Sequence, residues 1–284
     1  MLCLTMETAV MSDNLDAVRE HYGAVGLRDR LKGMLAQSAA NDQRLDPAQI
    51  VFDHFHTRGL PATAELAALT GVASEHTVLD VGSGIGGPSR YLAATFGCAV
   101  TGVDLSEPFV DAARYLTERT GQTDLVRFEV GSALDLPVST QSFDVVLLQH
   151  VAMNIVDRPR LYREIRRVLR PGGRFGTYDI VTRDGSPFYP VPWALTSETS
   201  FLLSADQTRR TVEDAGFRLL EMRDDSIKAQ EWAGNLQKNP PPPSLAIGLL
   251  SGAGFGEVTT NLGRSLLEGK VGVLTAVFAP VGAS

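Results

Sequence analysis

From residue 77 onward the apolar positions of the chain fall into short runs separated by amphipathic stretches. Short apolar runs fall at 77–81, 98–103, 126–130, 143–148 and 173–180, and in the first of them Val78, Leu79 and Val81 read as a strand buried on both faces. Between them, 87–96, 107–120 and 158–170 carry a helical period. In 158–170, Leu161, Ile165, Val168 and Leu169 share one face, while Arg163, Arg166, Arg167 and Arg170 fall elsewhere. The arginines crowd the C-terminal end, where the helix dipole favours cations, so they read as a solvated structural face ahead of a binding one. Pro171-Gly172-Gly173 is expected to stop this helix and turn into the next strand. A helix at 204–215, with Gly216 just past its end, precedes a strand at 217–222, and a final strand at 271–278 is expected to lie beside it. The alternation predicts an α/β fold built on a doubly wound sheet.

The flanks are less regular. Residues 1–12 read as a disordered extension, with Met11 as an alternative start, and 13–61 as an N-terminal helical cover. Gly23, Gly26 and Gly33 are expected to divide that cover into two or three short helices. A stronger helix, 62–69, opens the main domain at 62–284 and ends at Gly71. Within that domain, 226–270 reads as an insertion of helical pieces, with Asn239 and Pro240 to Pro243 as a linker. The segment 181–200 contains Phe188-Tyr189-Pro190-Val191-Pro192-Trp193, which suits either a lid over a ligand or a loop that packs its own aromatics.

Composition narrows the function classes. A chain of 284 residues, 44% hydrophobic, can bury a full core. A formal charge of −7 without a Lys/Arg cluster argues against a nucleic-acid partner. No apolar run reaches the roughly 18 residues of a spanning helix, so no membrane partner is expected. Met1 to Val10 holds no Lys or Arg and no long apolar stretch, unlike a secretory signal. Cys3 and Cys98 do not form a metal-ligand pattern, and a cytoplasmic location is expected.

The chemistry concentrates in Val78-Leu79-Asp80-Val81-Gly82-Ser83-Gly84-Ile85-Gly86-Gly87, a buried strand running into a glycine-rich turn. Gly82, Gly84 and Gly87 also satisfy the G-x-G-x-x-G pattern of dinucleotide sites, so spacing alone does not decide the ligand. Asp80 separates the readings: a carboxylate there repels a pyrophosphate and attracts an ammonium or sulfonium group. S-adenosylmethionine carries both. A role for Asp80 in capping the following helix stays open.

Asp104 follows at the end of the next strand, 24 residues after Asp80, where a carboxylate can accept from both ribose hydroxyls or cap the helix near Glu107. The fourth strand ends in Gln149-His150, on the side of an open sheet where ligands bind. Gln149 is placed by the cofactor, and His150 by the acceptor. A general base and a neutral hydrogen-bonding imidazole are both open for His150. His54 and His56 read as substrate or cofactor contacts, Met153 as pocket lining, and Tyr189 and Trp193 as rings for a cation or an aromatic acceptor.

Together the glycine turn with its leading Asp80, Asp104, Pro171-Gly172-Gly173 and the late strand pair resemble the class I S-adenosylmethionine-dependent methyltransferases. Phe55-His56, Gly59 and the long turn Gly-Ser-Gly-Ile-Gly-Gly-Pro-Ser-Arg are similar to the small-molecule branch: sarcosine/dimethylglycine, phosphoethanolamine, tocopherol and natural-product methyltransferases. The resemblance covers about residues 50–225 and 270–279. It implies a Rossmann-like, seven-stranded sheet with an antiparallel last strand, and S-adenosylmethionine as methyl donor, released as S-adenosylhomocysteine. It places the cofactor on Asp80, Gly82, Ser83, Gly84, Gly86, Asp104, Leu105 and Gln149. The family's acidic adenine contact is replaced by Ser132, leaving the backbone of Ser132, Ala133 and Leu134 to frame the base. Tyr22 resembles a tyrosine that closes over the cofactor and joins His150 as a catalytic candidate. The acceptor would be a nitrogen, oxygen or carbon of a small molecule, in specialised metabolism among other settings. A methyltransferase-fold protein that cyclises or rearranges its substrate, and a nicotinamide-dependent oxidoreductase, are the alternatives. The N-terminal helices leave a homo-oligomer open.

Overall fold

The computed structural model describes residues 26–36, 44–46, 50, 53–239 and 255–282. Its sheet grows outward from β1 (Thr77–Val81), whose buried Val78, Leu79 and Val81 leave it fit only for a central position. β2 (Ala99–Asp104) and β3 (Val126–Val130) add in parallel on one side, β4 (Phe143–Gln149) and β5 (Leu169–Thr182) on the other. β7 (Val271–Pro280) then inserts antiparallel between β5 and β6 (Phe217–Asp224). The order β3-β2-β1-β4-β5-β7-β6 is the seven-stranded sheet that the resemblance implied, antiparallel last strand included.

Helices cover both faces. On one lie α2 (Leu60–Thr70), α3 (Gly87–Phe96) and α4 (Glu107–Thr120), together with α7 (Ser226–Lys238) and α8 (Phe255–Leu267) near the β7 side. On the other, α5 (Arg158–Val168) buries Leu161, Ile165 and Val168, and α6 (Ala205–Asp214) buries Val212. α1 (Leu27–Ala36) stands outside this pair of layers. Its Leu27, Leu31 and Leu35, spaced by four, form one stripe against Phe109, Ala112, Tyr115 and Leu116 of α4.

Two boundaries depart from expectation. Gly33 lies inside α1 instead of breaking it, because one exposed glycine costs only about 1 kcal/mol and the leucine stripe outweighs that. The α5 helix ends at Val168, not at 170, since Leu169 already pairs with Phe143 and an irregularity follows at Phe143/Val145. Pro171-Gly172-Gly173 therefore belongs to the start of β5. Arg170 is drawn off the helix to Asp144 and Thr77, and Arg167 fastens Glu164 and the carbonyls of Leu136 and Val138. Both arginines make intramolecular contacts instead of forming a solvated face, and Arg170 makes its contacts from the strand, not from the helix end.

The 188–193 segment packs its aromatics inward. Trp193 is buried and donates from Nε1 to Ser200 Oγ at 2.9 Å, while half-buried Tyr189 leans on the same core as Met153 and Trp232. The insertion contributes α7 and α8 to that wall.

Candidate functional site

β1 delivers Asp80 to the carboxyl edge of the sheet, and the chain reverses at once through Gly82, Gly84 and Gly86, all at positive φ. The glycine requirement is met by protein, not only by ligand. A Cβ on Gly82 would stand 2.2 Å from Val151 Cγ2, one on Gly86 2.4 Å from the Phe128 ring, and one on Gly87 2.3 Å from the Asp53 carbonyl oxygen. Phe55 lies above Gly84. The turn is thus pinned between β4's exit loop, β3 and the 53–57 segment, so its backbone is held before any ligand arrives.

Both acidic candidates hold this turn. Asp80, 1% exposed, accepts from Ser89 Oγ at 2.6 Å, tying β1 to the first turn of α3. Asp80 thus anchors the helix through Ser89, while the N-cap position itself is Gly86. Burial pushes its carboxyl up to about 6, and the nearby Asp104 adds to the rise. Asp104 accepts from the Gly84 N–H at 2.8 Å and from the Ser106 N–H at 2.9 Å, and burial raises it as well. Two carboxylates that burial holds at elevated pKa, one raised further by the other, form a natural seat for a cation. The Leu105 N–H also faces this carboxylate, which keeps lone-pair capacity for a further donor.

Leu105 is half-buried beyond Asp104. Ser132 and Ala133 are half-buried and Leu134 is buried; Ser132 Oγ accepts from the Leu134 N–H at 3.1 Å, so that loop is braced by its own side chain. Ser83 Oγ is buried and has no hydrogen-bond partner among the described residues, and the same is true of Gln149 Nε2. They are two of seven such atoms among the described residues; Ser83 lies in the turn that follows β1 and Gln149 ends β4, the strand beside it.

The polar cluster behind Gln149 was only half visible in sequence. Thr63 Oγ1 lies 3.2 Å from Gln149 Oε1, 3.0 Å from His56 Nε2 and 3.2 Å from His54 Nδ1. His56 Nδ1 stands 3.1 Å from the Thr57 carbonyl, which only accepts, so Nδ1 donates and the neutral Nε2 takes the Thr63 proton. The Gln149 amide then meets Thr63 through its NH₂ end. In either orientation one polar end of Gln149 is left without a partner. Burial drives His56 down to about 4 and His54 to about 3, so both are neutral at physiological pH and unsuited to act as acids.

His150 ends this row. Its φ is 53°, a strained value for a residue with a Cβ, held by its N–H donating to the Tyr178 carbonyl at 2.8 Å. Its ring stacks on Tyr178 at 5.3 Å and 7°, and Nε2 lies 3.2 Å from Thr57 Oγ1. Burial, and the neighbouring His56, lower it well below the usual imidazole range. Met153 follows in the Ala152–Asn154 turn, which the buried Asp179 anchors by accepting from the Ala152 N–H. Beneath the turn, Arg90 and Asp53 form a buried ion pair at 2.7 Å.

The structure therefore gathers Asp80, Gly82, Ser83, Gly84, Gly86, Asp104, Gln149, His54, His56 and His150 around one sheet edge. Trp193 is set back in the core, and Tyr22 lies outside the described residues. Thr57, Thr63 and Tyr178, which bind the histidines together, went unnoticed in sequence. Only the proximity of Thr57 to the histidine pair could have flagged one of them. Two open clefts, of about 580 and 470 Å³, lie away from this edge, one beside Arg127 and Arg167 and one beside Arg183 and Asp206. Both are lined by strand and helix residues and contain none of the gathered groups.

Residues 79–177, from β1 through β5, match the family described as a methyltransferase domain. The methyltransferase GfsG of Streptomyces halstedii is 35% identical over 185 residues, 64% of this chain and 66% of that protein. The chain belongs to the class I S-adenosylmethionine-dependent methyltransferases. Among solved structures, this methyltransferase chain is similar to the [4+2]-cyclase SpnF, with a TM-score of 0.69, 21% identity, and coverage of 95% and 97% of the two chains. It is also similar to geranyl diphosphate C-methyltransferase from Streptomyces coelicolor A3(2), in complex with Mg²⁺, geranyl-S-thiolodiphosphate and S-adenosyl-L-homocysteine. There the TM-score is 0.67, with 18% identity over 94% and 98% of the chains. At such identities these two likenesses speak for the fold.

Proposed function

We propose that the protein moves the methyl group of S-adenosylmethionine to a nitrogen, oxygen or carbon of a small, largely apolar acceptor. The observation that carries this reading is the pairing of two elevated carboxylates, Asp80 and Asp104, with unpartnered polar groups at Ser83 and Gln149 around a preformed glycine turn. That set fits a cationic ligand rich in donors and acceptors. Asp104 would take the ribose hydroxyls, Asp80 the positive end, and the backbone of Ser132 to Leu134 the adenine.

S-adenosylmethionine supplies an electrophilic methyl on a sulfonium, so the chain need not provide a nucleophile. Its task is alignment and exclusion of water. The buried edge around Gln149 and His56 suits that, and the wall formed by Met153, Tyr189 and Trp232 offers apolar surface to an acceptor. His150 is the polar group on the acceptor side. The 181–200 segment is the cover of this wall, and Tyr22 is proposed to close over the cofactor.

Purified protein with S-adenosylmethionine and a panel of amines, phenols and polyketides tests the reading, with methylated products followed by mass spectrometry. Cofactor binding without transfer to any acceptor class would favour a cyclase or isomerase on the same fold. Binding of NADH instead would sink the methyl-donor site.

A further inference from the structure

His150 reaches Thr57, and Thr57 reaches Tyr178: Nε2 to Oγ1 is 3.2 Å and Oγ1 to the phenol oxygen 2.9 Å. Thr57 Oγ1 has one proton and two lone pairs; were both neighbours to donate to it, its own proton would have no acceptor among the described residues, so the two contacts run in the same direction. If His150 donated from Nε2, Thr57 would donate to Tyr178, and the tyrosine's own proton would need another acceptor. None is available among the described residues. The group that lies against the phenol oxygen is the Arg58 guanidinium, which has only N–H groups and is held in place by Glu65. Glu65 is fixed from its other side by Lys228 of α7 at 2.9 Å. The phenol remains protonated, since burial pushes Tyr178 up to about 12. Its proton therefore points to Thr57, and the Thr57 proton points to His150 Nε2.

We propose that Tyr178 and Thr57 form a one-way hydroxyl relay, polarised by Arg58, that fixes neutral His150 in the Nδ1–H tautomer. Nδ1, which makes no hydrogen bond among the described residues, is then a donor. Resting on the methyl-transfer reading above, this narrows the acceptor class. A donor edge can hold and orient an atom with a free lone pair, and it cannot remove a proton. The acceptors it suits arrive with no proton to lose and with a lone pair to spare beside the electron pair that attacks the methyl: a phenolate or an enolate. An alkyl alcohol, which must lose its proton to the protein, is excluded. Thr57, Tyr178 and Arg58 are positioning residues that act through His150.

The tautomer is read directly by long-range ¹H–¹⁵N correlation on histidine-labelled protein, with the His150 signals assigned by His150→Gln. The wild type is expected to show the proton on Nδ1 from pH 6 to 8. Thr57→Val and Tyr178→Phe are expected to release the ring to a mixture or to Nε2–H, while Thr57→Ser retains the wild-type pattern. A wild-type ring protonated on Nε2, or a pattern unchanged in Thr57→Val with the fold intact by circular dichroism, would overturn the proposal. Because the spectrum needs neither cofactor nor acceptor, it decides the relay whether or not methyl transfer is found.

Discussion

Asp80 is where the opposing forces at this site can be weighed. Desolvation favours its neutral form, holding the carboxyl near 6, whereas a bound cation favours the ionised form and lowers that value. A pKa lower in the complex than in the free protein means that affinity is full above pH 6. The Asp80 share falls as pH drops through 6, by at most about tenfold per unit for its one proton. His54 and His56 titrate near 3 and 4, so they stay silent in that window. Calorimetric affinities for S-adenosylmethionine between pH 7.5 and 5.0 should show the fall, and Asp80→Asn should reduce it, leaving the share of the Asp104 carboxyl that burial also raises; a flat wild-type profile would remove Asp80 from the contact. Asp104→Ala should weaken binding by roughly 1–3 kcal/mol, the cost of losing hydrogen bonds to a charged group. It should also loosen the turn, since the Gly84 N–H loses its acceptor.

At the scale of elements, the glycine turn and the α1 stripe give separable expectations. Gly82→Ala places a methyl against Val151 at a φ of 72°, so it should cost on the order of 1–3 kcal/mol in urea unfolding. Adding Val151→Ala should recover the steric share and leave the backbone share; no cost at all in Gly82→Ala would mean that the turn is not pinned as described. Leu31→Ala empties a fully buried position between α1 and α4 and should cost about 2–5 kcal/mol. Hydrogen exchange should then accelerate across Leu27–Ala36 while the sheet amides keep their protection. Equal acceleration in both would show that α1 is not a separable cover.

These elements also show how far sequence reading reached. The strands from β1 to β4 and the helices between them were visible because continuous apolar runs and a 3.6-residue period are physical signatures of burial on two faces or one. The α5–β5 junction was not, because Leu169 satisfies both patterns and only pairing with Phe143 decides. At the site, Asp80 and Asp104 could be found from their places at strand ends. The Thr63 hub and the Thr57–Tyr178 relay join residues 86 to 121 positions apart, and no local pattern announces such contacts.

For the whole molecule, everything turns on what the sheet edge holds. The domain match spans β1 to β5, and the late strands, α7 and α8 complete a wall beside it. No helix among the described residues is long and apolar enough to cross a membrane. The most direct measurement is a calorimetric titration of the purified chain with S-adenosylmethionine, S-adenosylhomocysteine and NADH in parallel. A methyl-donor site at this sheet edge should give saturable binding of the first two at a single shared site and no heat from NADH. Absence of S-adenosylmethionine binding at millimolar concentration, with NADH bound in its place, would contradict it.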